Sequence, residues 1–247
     1  MLWIILGILI VAGLLYLMGH YTFWLPFRSA KLPRIVMLHQ VTPLEPASGM
    51  NMPPQKFEQF LKLLVSKKSQ FCFVSELDQR IEQKNTVALT FDDGFLDNYE
   101  YAFPLLKQYQ AKATIYLATK IEGISALQKQ HIDEMLASGL IEFGAHTQHH
   151  VNLLKLDDDV AREEMRLSKQ DVEALTGKCE TFAYPFGRFD ERHEKMAQQL
   201  GFKNAVSTRK KIESYQHNPF NLPRVSTHGA MNAIQMRIAL AKGRYKL

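Results

Sequence analysis

Two short segments of this 247-residue chain concentrate side chains that could bind a metal ion. The stretch "LTFDDGF" places Asp92 and Asp93 side by side at the end of an apolar run, where like charges repel. The stretch "GAHTQHH" brings His146, His149 and His150 within five positions. Imidazole nitrogens with a carboxylate oxygen suit zinc or a similar divalent ion. A dication would also relieve the repulsion between the aspartates, so the two segments together predict a metal centre.

A centre with only three protein ligands leaves coordination positions for water and substrate, as catalytic metals do. Such an ion lowers the pKa of water and polarises a carbonyl, and an aspartate that is not a ligand is then the natural base. Each segment alone has a simpler explanation, either a capping Asp-Asp turn or a solvated histidine cluster. Their combination predicts hydrolytic chemistry.

The elements that must position these groups begin at residue 34, where short apolar runs alternate with helical periodicities. Strands are predicted at 34–39, 71–74, 86–91, 113–118, 141–145, 181–184, 204–208 and 222–226. Helices are predicted at 53–68, 75–81, 97–109, 128–137, 157–175, 191–200 and 229–243. The alternation predicts an α/β fold of seven or eight βα units with a mainly parallel sheet.

Such a pattern fits a (β/α) barrel, and a doubly wound open sheet has the same local pattern. One regularity favours the barrel. The segments "VMLH", "FDDG", "HTQHH" and "YPFG" all lie at the C-terminal ends of predicted strands, where barrel active sites form.

In their order and spacing, "TFDDG", "HTQHH" and "YPFG" resemble the first three motifs of the polysaccharide deacetylase family, also called the NodB homology domain or carbohydrate esterase family 4. The resemblance covers about residues 34–245. It implies a deformed (β/α) barrel that removes N-acetyl groups from GlcNAc-type sugars with a divalent metal, most simply zinc. It also implies that Asp92 is the general base and that Asp93, His146 and His150 are the metal ligands, whereas His149 falls at a variable position.

The segment "FAYPFG" resembles the third motif, in which the backbone N–H after the proline helps to hold an oxyanion, here the N–H of Phe186. Many family members carry arginine two residues before that proline, and this chain has Ala183 there. Asp92 therefore needs another cationic partner or none. Arg224 of "LPRV" is the first candidate and Arg188 the second, with an ordinary surface arginine as the alternative.

No Asp-rich fourth motif with tryptophan and no clear Leu-x-His fifth motif follows "YPFG". Some family members are circularly permuted, so that the strand with this histidine leads the domain, and "VMLHQV" fits that place. His39 is therefore predicted to be the general acid that protonates the leaving amine. His228 is the alternative, although it abuts Gly229 at a predicted helix start, where a capping or solvated histidine is the ordinary explanation.

The opening "MLWIILGILIVAGLLYLM" has no charged residue and approaches the ~20 residues that span a bilayer. No small-x-small cleavage site follows it, so we predict a single-pass anchor over residues 1–27 and a catalytic domain over 28–247, with a buried core helix as the alternative. Arg28, Lys31 and Arg34 follow the anchor, which by the positive-inside rule favours a cytoplasmic domain at a bacterial inner membrane. The family resemblance favours the outer face of the membrane, so the sequence does not decide on which face the catalytic domain lies.

The charge composition argues against a nucleic-acid-binding protein. The net charge is +5, from 30 Lys and Arg against 25 Asp and Glu, without the basic helix or stripe of a nucleic-acid surface.

The predicted partners are an N-acetylated cell-envelope polysaccharide or lipid-linked oligosaccharide and, through the N-terminal helix, a membrane. The alternative is a degenerate domain that binds glycan or organises a biosynthetic complex. The missing arginine and fourth motif favour this alternative, while the intact aspartates and histidines oppose it.

Overall fold

A computed structural model describes residues 2–22 and 24–246, so Met1 and Phe23 of the predicted anchor and Leu247 of the predicted catalytic domain lie outside the described residues. Helix α1 spans Leu2–His20, and none of its stretch Leu2–Gly19 is buried against the rest of the chain. Its length and apolar composition suit a membrane span, and a signal sequence would meet the same criteria.

Eight strands form one sheet, and every pairing between them is parallel. They are β1 (Arg34–Leu38), β2 (Gln70–Phe71), β3 (Thr86–Phe91), β4 (Ala113–Leu117), β5 (Ile141–Ala145), β6 (Thr181–Ala183), β7 (Asn204–Val206) and β8 (Val225–Ser226). The spatial order is β7-β6-β5-β4-β3-β1-β8, with β2 beside β3. If β8 is placed next to β7, as in a closed barrel, the strands apart from the short β2 follow one another around the barrel in the same order as along the chain.

The sheet is curled, which confirms the deformed (β/α) barrel and removes the doubly wound alternative. Its two ends approach each other through an isolated bridge between Val206 and Leu222. Strand β8 is shorter than predicted because Pro223 has no N–H and the Arg224 N–H donates to the Arg209 carbonyl outside the sheet.

Six further helices surround the sheet. They are α2 (Pro54–Ser66), α3 (Phe103–Gln108), α4 (Lys129–Ala137), α5 (Asp158–Thr176), α6 (Glu191–Gln199) and α7 (Ala233–Lys242). Helix α5 begins after Asp157, whose carboxylate accepts the Val160 N–H, and ends at Gly177, whose φ of 82° is left-handed.

Two further predicted elements differ from the structure. The strand predicted at 71–74 lies at Gln70–Phe71, because the Glu76 carboxylate accepts the Phe73 N–H and turns the chain into a 3₁₀ helix, Val74–Arg80. The helix predicted at 97–109 begins with a π-helical turn, Asn98–Ala102, before α3.

The core lies on both faces of the sheet, so central strands are buried along their whole length. All six residues of β3 are buried, which explains why "TVALTF" does not alternate between polar and apolar positions. Buried polar side chains, including Thr90, Thr114, Glu142 and Arg224, occur among the strands. Arg224 is the largest of the fully buried side chains.

Candidate metal centre and active site

The chemistry-bearing residues lie where parallel strands end. His39 follows β1, Asp92 and Asp93 follow β3, His146 follows β5, and Phe186 lies three residues beyond β6. The carboxyl ends of parallel barrel strands meet at one face, so residues far apart in sequence become neighbours.

Asp93, His146 and His150 form a compact group whose ligand atoms all lie within 4.8 Å of one another. The Asp93 Oδ1 atom is 3.5 Å from His146 Nε2 and 3.2 Å from His150 Nε2. Left-handed backbone at Asp93 (φ 75°), Thr147 (φ 60°) and His150 (φ 53°) turns both segments toward this point. Within residues 2–22 and 24–246, no other group of three such side chains approaches so closely.

The donor set fits a divalent ion. Asp93 Oδ1 is buried without a hydrogen-bond partner, an arrangement that folded proteins rarely leave unexplained. The Ala183 carbonyl lies 2.7 Å from His146 Nδ1 and can only accept, so Nδ1 carries the hydrogen and the Nε2 lone pair faces Asp93. Burial lowers the pKa of His150 to about 4, which leaves its ring neutral at pH 7, the form that binds metals.

His149 is not part of this group. Its Nδ1 atom lies 2.7 Å from Glu164 Oε1, and its side chain is 49% exposed. The structure thus separates His149 from the two histidines beside it.

Asp92 pairs with Arg224 through two parallel hydrogen bonds. The Arg224 Nη1 and Nη2 atoms donate to Asp92 Oδ1 and Oδ2 at 2.6 and 2.7 Å, and both side chains are buried. Burial raises the pKa of Asp92, but the Arg224 guanidinium outweighs it and holds that pKa well below its usual range. Arg224 is thus a buried partner of Asp92 rather than a surface arginine, whereas Arg188 is exposed.

Two groups that the sequence analysis did not identify orient the guanidinium. Thr90 Oγ1 accepts from Arg224 Nη1 at 3.0 Å, and the Ser207 carbonyl accepts from Arg224 Nε at 2.9 Å. The only signal available for Thr90 was a hydroxyl within an otherwise apolar strand, and a main-chain carbonyl leaves no signal in a sequence.

Replacing Arg224 with methionine is expected to lower the free energy of unfolding by about 3–5 kcal/mol, because the buried carboxylate of Asp92 is left unpaired. Chemical denaturation of the full chain measures the change. Arg188→Met, at an exposed arginine, should change stability by less than about 0.5 kcal/mol. Adding Asp92→Asn to Arg224→Met should recover much of the loss, and a single Arg224→Met variant as stable as the unaltered chain would contradict the pairing.

The His39 Nε2 atom lies 3.8 Å from Asp92 Oδ2, and 18% of the His39 side chain is exposed. Asn98 Nδ2 donates to the His39 carbonyl at 2.8 Å, which fixes the backbone there. Burial lowers the pKa of His39, against the opposing charges of Asp92 and Asp93. His39 thus contacts the same carboxylate as Arg224.

His228 lies in a different environment. Its ring centroid is 6.1 Å from that of Tyr245, and burial together with Lys210, Lys246 and Lys56 lowers its pKa. No described contact joins His228 to Asp92 or Asp93.

Phe186 occupies a turn with left-handed backbone, φ 56°, directly after Pro185. Its ring centroid lies 4.4 Å from that of His150, and the residue is 58% exposed. The sequence analysis gave a role only to the Phe186 N–H, whereas the structure shows that the ring also covers one side of the Asp–His–His group.

Asp97 ties together the loops after β1 and β3. Its Oδ1 atom accepts from the Val41 N–H at 3.0 Å and from Asn98 Nδ2 at 2.8 Å. Burial raises the pKa of Asp97 to about 6, so the folded state holds this proton more tightly than the unfolded chain does. Stability is therefore lost as the pH rises from about 4 to about 6.

Asp97→Asn should raise the free energy of unfolding by about 1–2 kcal/mol at pH 7. The amide oxygen keeps both hydrogen bonds and carries no buried charge. Asp97 is partly exposed to solvent, which reduces the expected gain. Below about pH 4 the gain should vanish. Denaturation at pH 4 and pH 7 measures the gain, with the exposed Glu122→Gln as control. A gain of equal size at both pH values would contradict the raised pKa.

The fold and this site define the class of the protein. A model of the polysaccharide deacetylase family matches residues 79–205, and the chain belongs to this family of hydrolases. The match includes the segments with Asp92, Asp93, His146, His150 and Phe186.

Individual relatives support this assignment. The chain is 31% identical over 212 residues to YxkH of Bacillus subtilis, which is assigned by name to the same family, with 83% of this chain and 74% of YxkH covered. It is 27% identical over 191 residues to the poly-beta-1,6-N-acetyl-D-glucosamine N-deacetylase of Staphylococcus epidermidis, covering 69% of this chain and 66% of that enzyme. The chain thus spans about two thirds of the staphylococcal enzyme.

Solved structures agree with the fold. The Streptococcus pyogenes deacetylase PplD, solved in complex with acetate, superposes with a TM-score of 0.75 at 28% identity over 81% of this chain and 94% of PplD. IcaB from Ammonifex degensii superposes with a TM-score of 0.74 at 25% identity, over 85% of this chain and 95% of IcaB.

Proposed function

We propose that this protein is a metal-dependent N-deacetylase that removes N-acetyl groups from GlcNAc-type residues of a cell-envelope polysaccharide or a lipid-linked oligosaccharide. The observation that carries the proposal is the convergence of the Asp93–His146–His150 group with the Asp92–Arg224 pair at the barrel face. The staphylococcal relative, named for deacetylation of poly-beta-1,6-N-acetyl-D-glucosamine, supports the choice of sugar.

In this proposal, Asp93, His146 and His150 hold the ion, and their mixed nitrogen and oxygen donors favour zinc. When bound, the ion lowers the pKa of a water molecule and polarises the acetamide carbonyl. Asp92, kept ionised by Arg224, accepts the proton of that water. The Phe186 N–H donates to the carbonyl oxygen as it becomes negative, and His39 donates a proton to the leaving amine.

The test is acetate release from N-acetylglucosamine oligomers by the full chain in detergent, with and without a chelator. The proposal expects release that the chelator abolishes and added zinc restores. Release that is insensitive to the chelator would contradict the metal. Glycan binding without any acetate release would instead support the degenerate glycan-binding domain.

The role of His39 has its own test. His39→Ala is expected to keep the metal and lose most amide cleavage, since an amine cannot leave without a proton. The variant should lose less activity on an ester whose leaving group needs no proton. His228→Ala, remote from Asp92, should stay active, and the opposite pattern would transfer the role to His228 and refute the permuted motif order.

We further propose that α1 spans a membrane as a single-pass anchor over residues 1–27 and that residues 28–247 form the catalytic domain. The helix length and its lack of buried surface support this. Fusing reporters that work only in the cytoplasm or only in the periplasm to the C-terminus distinguishes the two faces. Activity of the periplasmic reporter would overturn the cytoplasmic placement that Arg28, Lys31 and Arg34 favour.

A further inference from the structure

A surface cleft of about 600 Å³ beside the end of α1 is almost entirely cationic. Seven of its nine lining residues are Lys or Arg, and none is acidic. Its exposed cations are Arg28, Lys210, Lys211, Arg244 and Lys246, and we call this surface the basic cleft. Since the whole chain has a net charge of only +5, the positive charge is concentrated here.

Few carboxylates neutralise the basic cleft. Glu213 is shared by Lys211, at 2.8 Å, and by Arg209, at 3.2 Å. Among the residues that the structure describes, Arg28, Lys210, Arg244 and Lys246 form no ion pair. Repulsion between neighbouring cations in one cleft is unfavourable, so the arrangement favours an anionic partner.

Three hydrogen bonds attach the basic cleft to the polypeptide just beyond α1. The Thr22 N–H donates to the Tyr245 carbonyl at 2.9 Å, and Thr22 Oγ1 donates to the Arg244 carbonyl at 2.7 Å. Lys242 Nζ donates to the Thr22 carbonyl at 3.2 Å. The basic cleft is therefore held two residues beyond His20, the last residue of α1.

The length of α1 sets the depth of the basic cleft if the helix crosses a bilayer. Nineteen helical residues rise about 28 Å, close to the ~30 Å of a hydrocarbon core. Thr22 then lies at the level of the lipid phosphates, and so do the cations bonded to it. A distant glycan or nucleic acid would not require this placement next to an apolar helix.

We propose that the basic cleft binds the headgroups of anionic phospholipids and so holds the catalytic domain against the membrane, an inference that rests on the proposed membrane span of α1. Lys210, Arg244 and Lys246 supply the contacts, and the Thr22 hydrogen bonds keep them at headgroup depth. The active site then keeps a constant height above the bilayer, which a flexible tether would not provide.

The test uses the full chain in uncharged detergent micelles, to which phosphatidylglycerol, phosphatidylcholine or inorganic phosphate is added while thermal unfolding is followed. A ligand that binds only the folded state raises Tm with its concentration. Phosphatidylglycerol should raise Tm, phosphatidylcholine should not, and about 1 M salt, where the screening length is about 3 Å, should remove the effect. An equal shift with inorganic phosphate would show a simple phosphate site and overturn the lipid proposal.

Variants locate the effect. Lys210→Gln, Arg244→Gln and Lys246→Gln together should raise the phosphatidylglycerol concentration that gives a half-maximal Tm shift about 100-fold at low salt. Lys210→Gln alone should raise this concentration about fivefold. A matched variant, Lys84→Gln, Lys155→Gln and Lys195→Gln, removes the same charge from exposed positions elsewhere and should keep the response. Equal losses in both triple variants would overturn the proposal, because net charge alone would then explain the response.

Two further readouts separate this inference from those on which it rests. Acetate release from soluble oligomers should be unchanged in both triple variants. Alkaline carbonate should leave the full chain in the membrane if α1 spans it. Extraction of the chain by carbonate would refute the span, whereas loss of lipid selectivity with the chain still embedded would refute the basic cleft alone.

Discussion

Replacing His146 with alanine is expected to abolish both metal binding and deacetylation. His146 is buried, its Nε2 atom lies 3.5 Å from Asp93 Oδ1, and the Ala183 carbonyl holds its Nδ1 atom, so its imidazole is fixed in place as a ligand. Two remaining donors form an incomplete catalytic site, because such sites keep three protein ligands. Metal content after dialysis and acetate release measure the two losses in the same sample.

His149→Ala is the matched control, because it removes a neighbouring histidine that contacts Glu164 instead. This variant should keep the metal and its activity. Circular dichroism of both variants shows whether the barrel remains folded. An His146→Ala protein that retains one equivalent of metal would show that the ligand set is wrong.

Asp92→Asn is expected to retain the metal and to lose turnover by roughly 10²–10⁴-fold, the contribution of a positioned acid–base group. The amide has the shape of the carboxylate and can still accept a hydrogen bond from Arg224, but it cannot take a proton from water. Turnover at saturating substrate, normalised to bound metal, measures the loss. The assay temperature must lie well below Tm, since the Arg224 charge loses its counterion in this variant.

Asp93→Asn provides the contrast with its neighbour. This substitution changes an oxygen that faces both histidines, so weaker metal binding should accompany the loss of activity. Near-normal turnover in Asp92→Asn, or equal loss of metal in both variants, would show that the roles of the two aspartates are misassigned.

The sequence was informative where chemistry and strand periodicity coincide. "TVALTF" is a mainly apolar run followed by two aspartates, so both the buried strand and the site at its C-terminal end could be predicted from it. The same reasoning placed His146 at the end of β5 and His39 at the end of β1. Because parallel strands end on one face, neighbours in space followed from local patterns.

Contacts between distant segments were less accessible. Arg224 was one of two candidate arginines, because a sequence does not show which side chain enters the barrel. The pair that Arg224 forms with Asp92 depends on Thr90, whose only sequence signal is a hydroxyl in a mainly apolar strand, and on the Ser207 carbonyl, which carries none. The strand predicted at 71–74 ends at Phe71 instead, because the hydrogen bond from the Phe73 N–H to the Glu76 carboxylate overrides the strand preference of "FCFV".

The separation of 132 positions between Asp92 and Arg224 bears on how the protein matures. Asp93, His146 and His150 lie within the first 150 residues, but the Ala183 carbonyl holds His146, and Arg224, the partner of Asp92, follows later still. Because the N-terminal part of a chain leaves the ribosome first and a domain generally folds as a unit, Asp92 has no buried partner until residue 224 has been made. A chain clipped before residue 224 would therefore lack both the partner of Asp92 and strand β8.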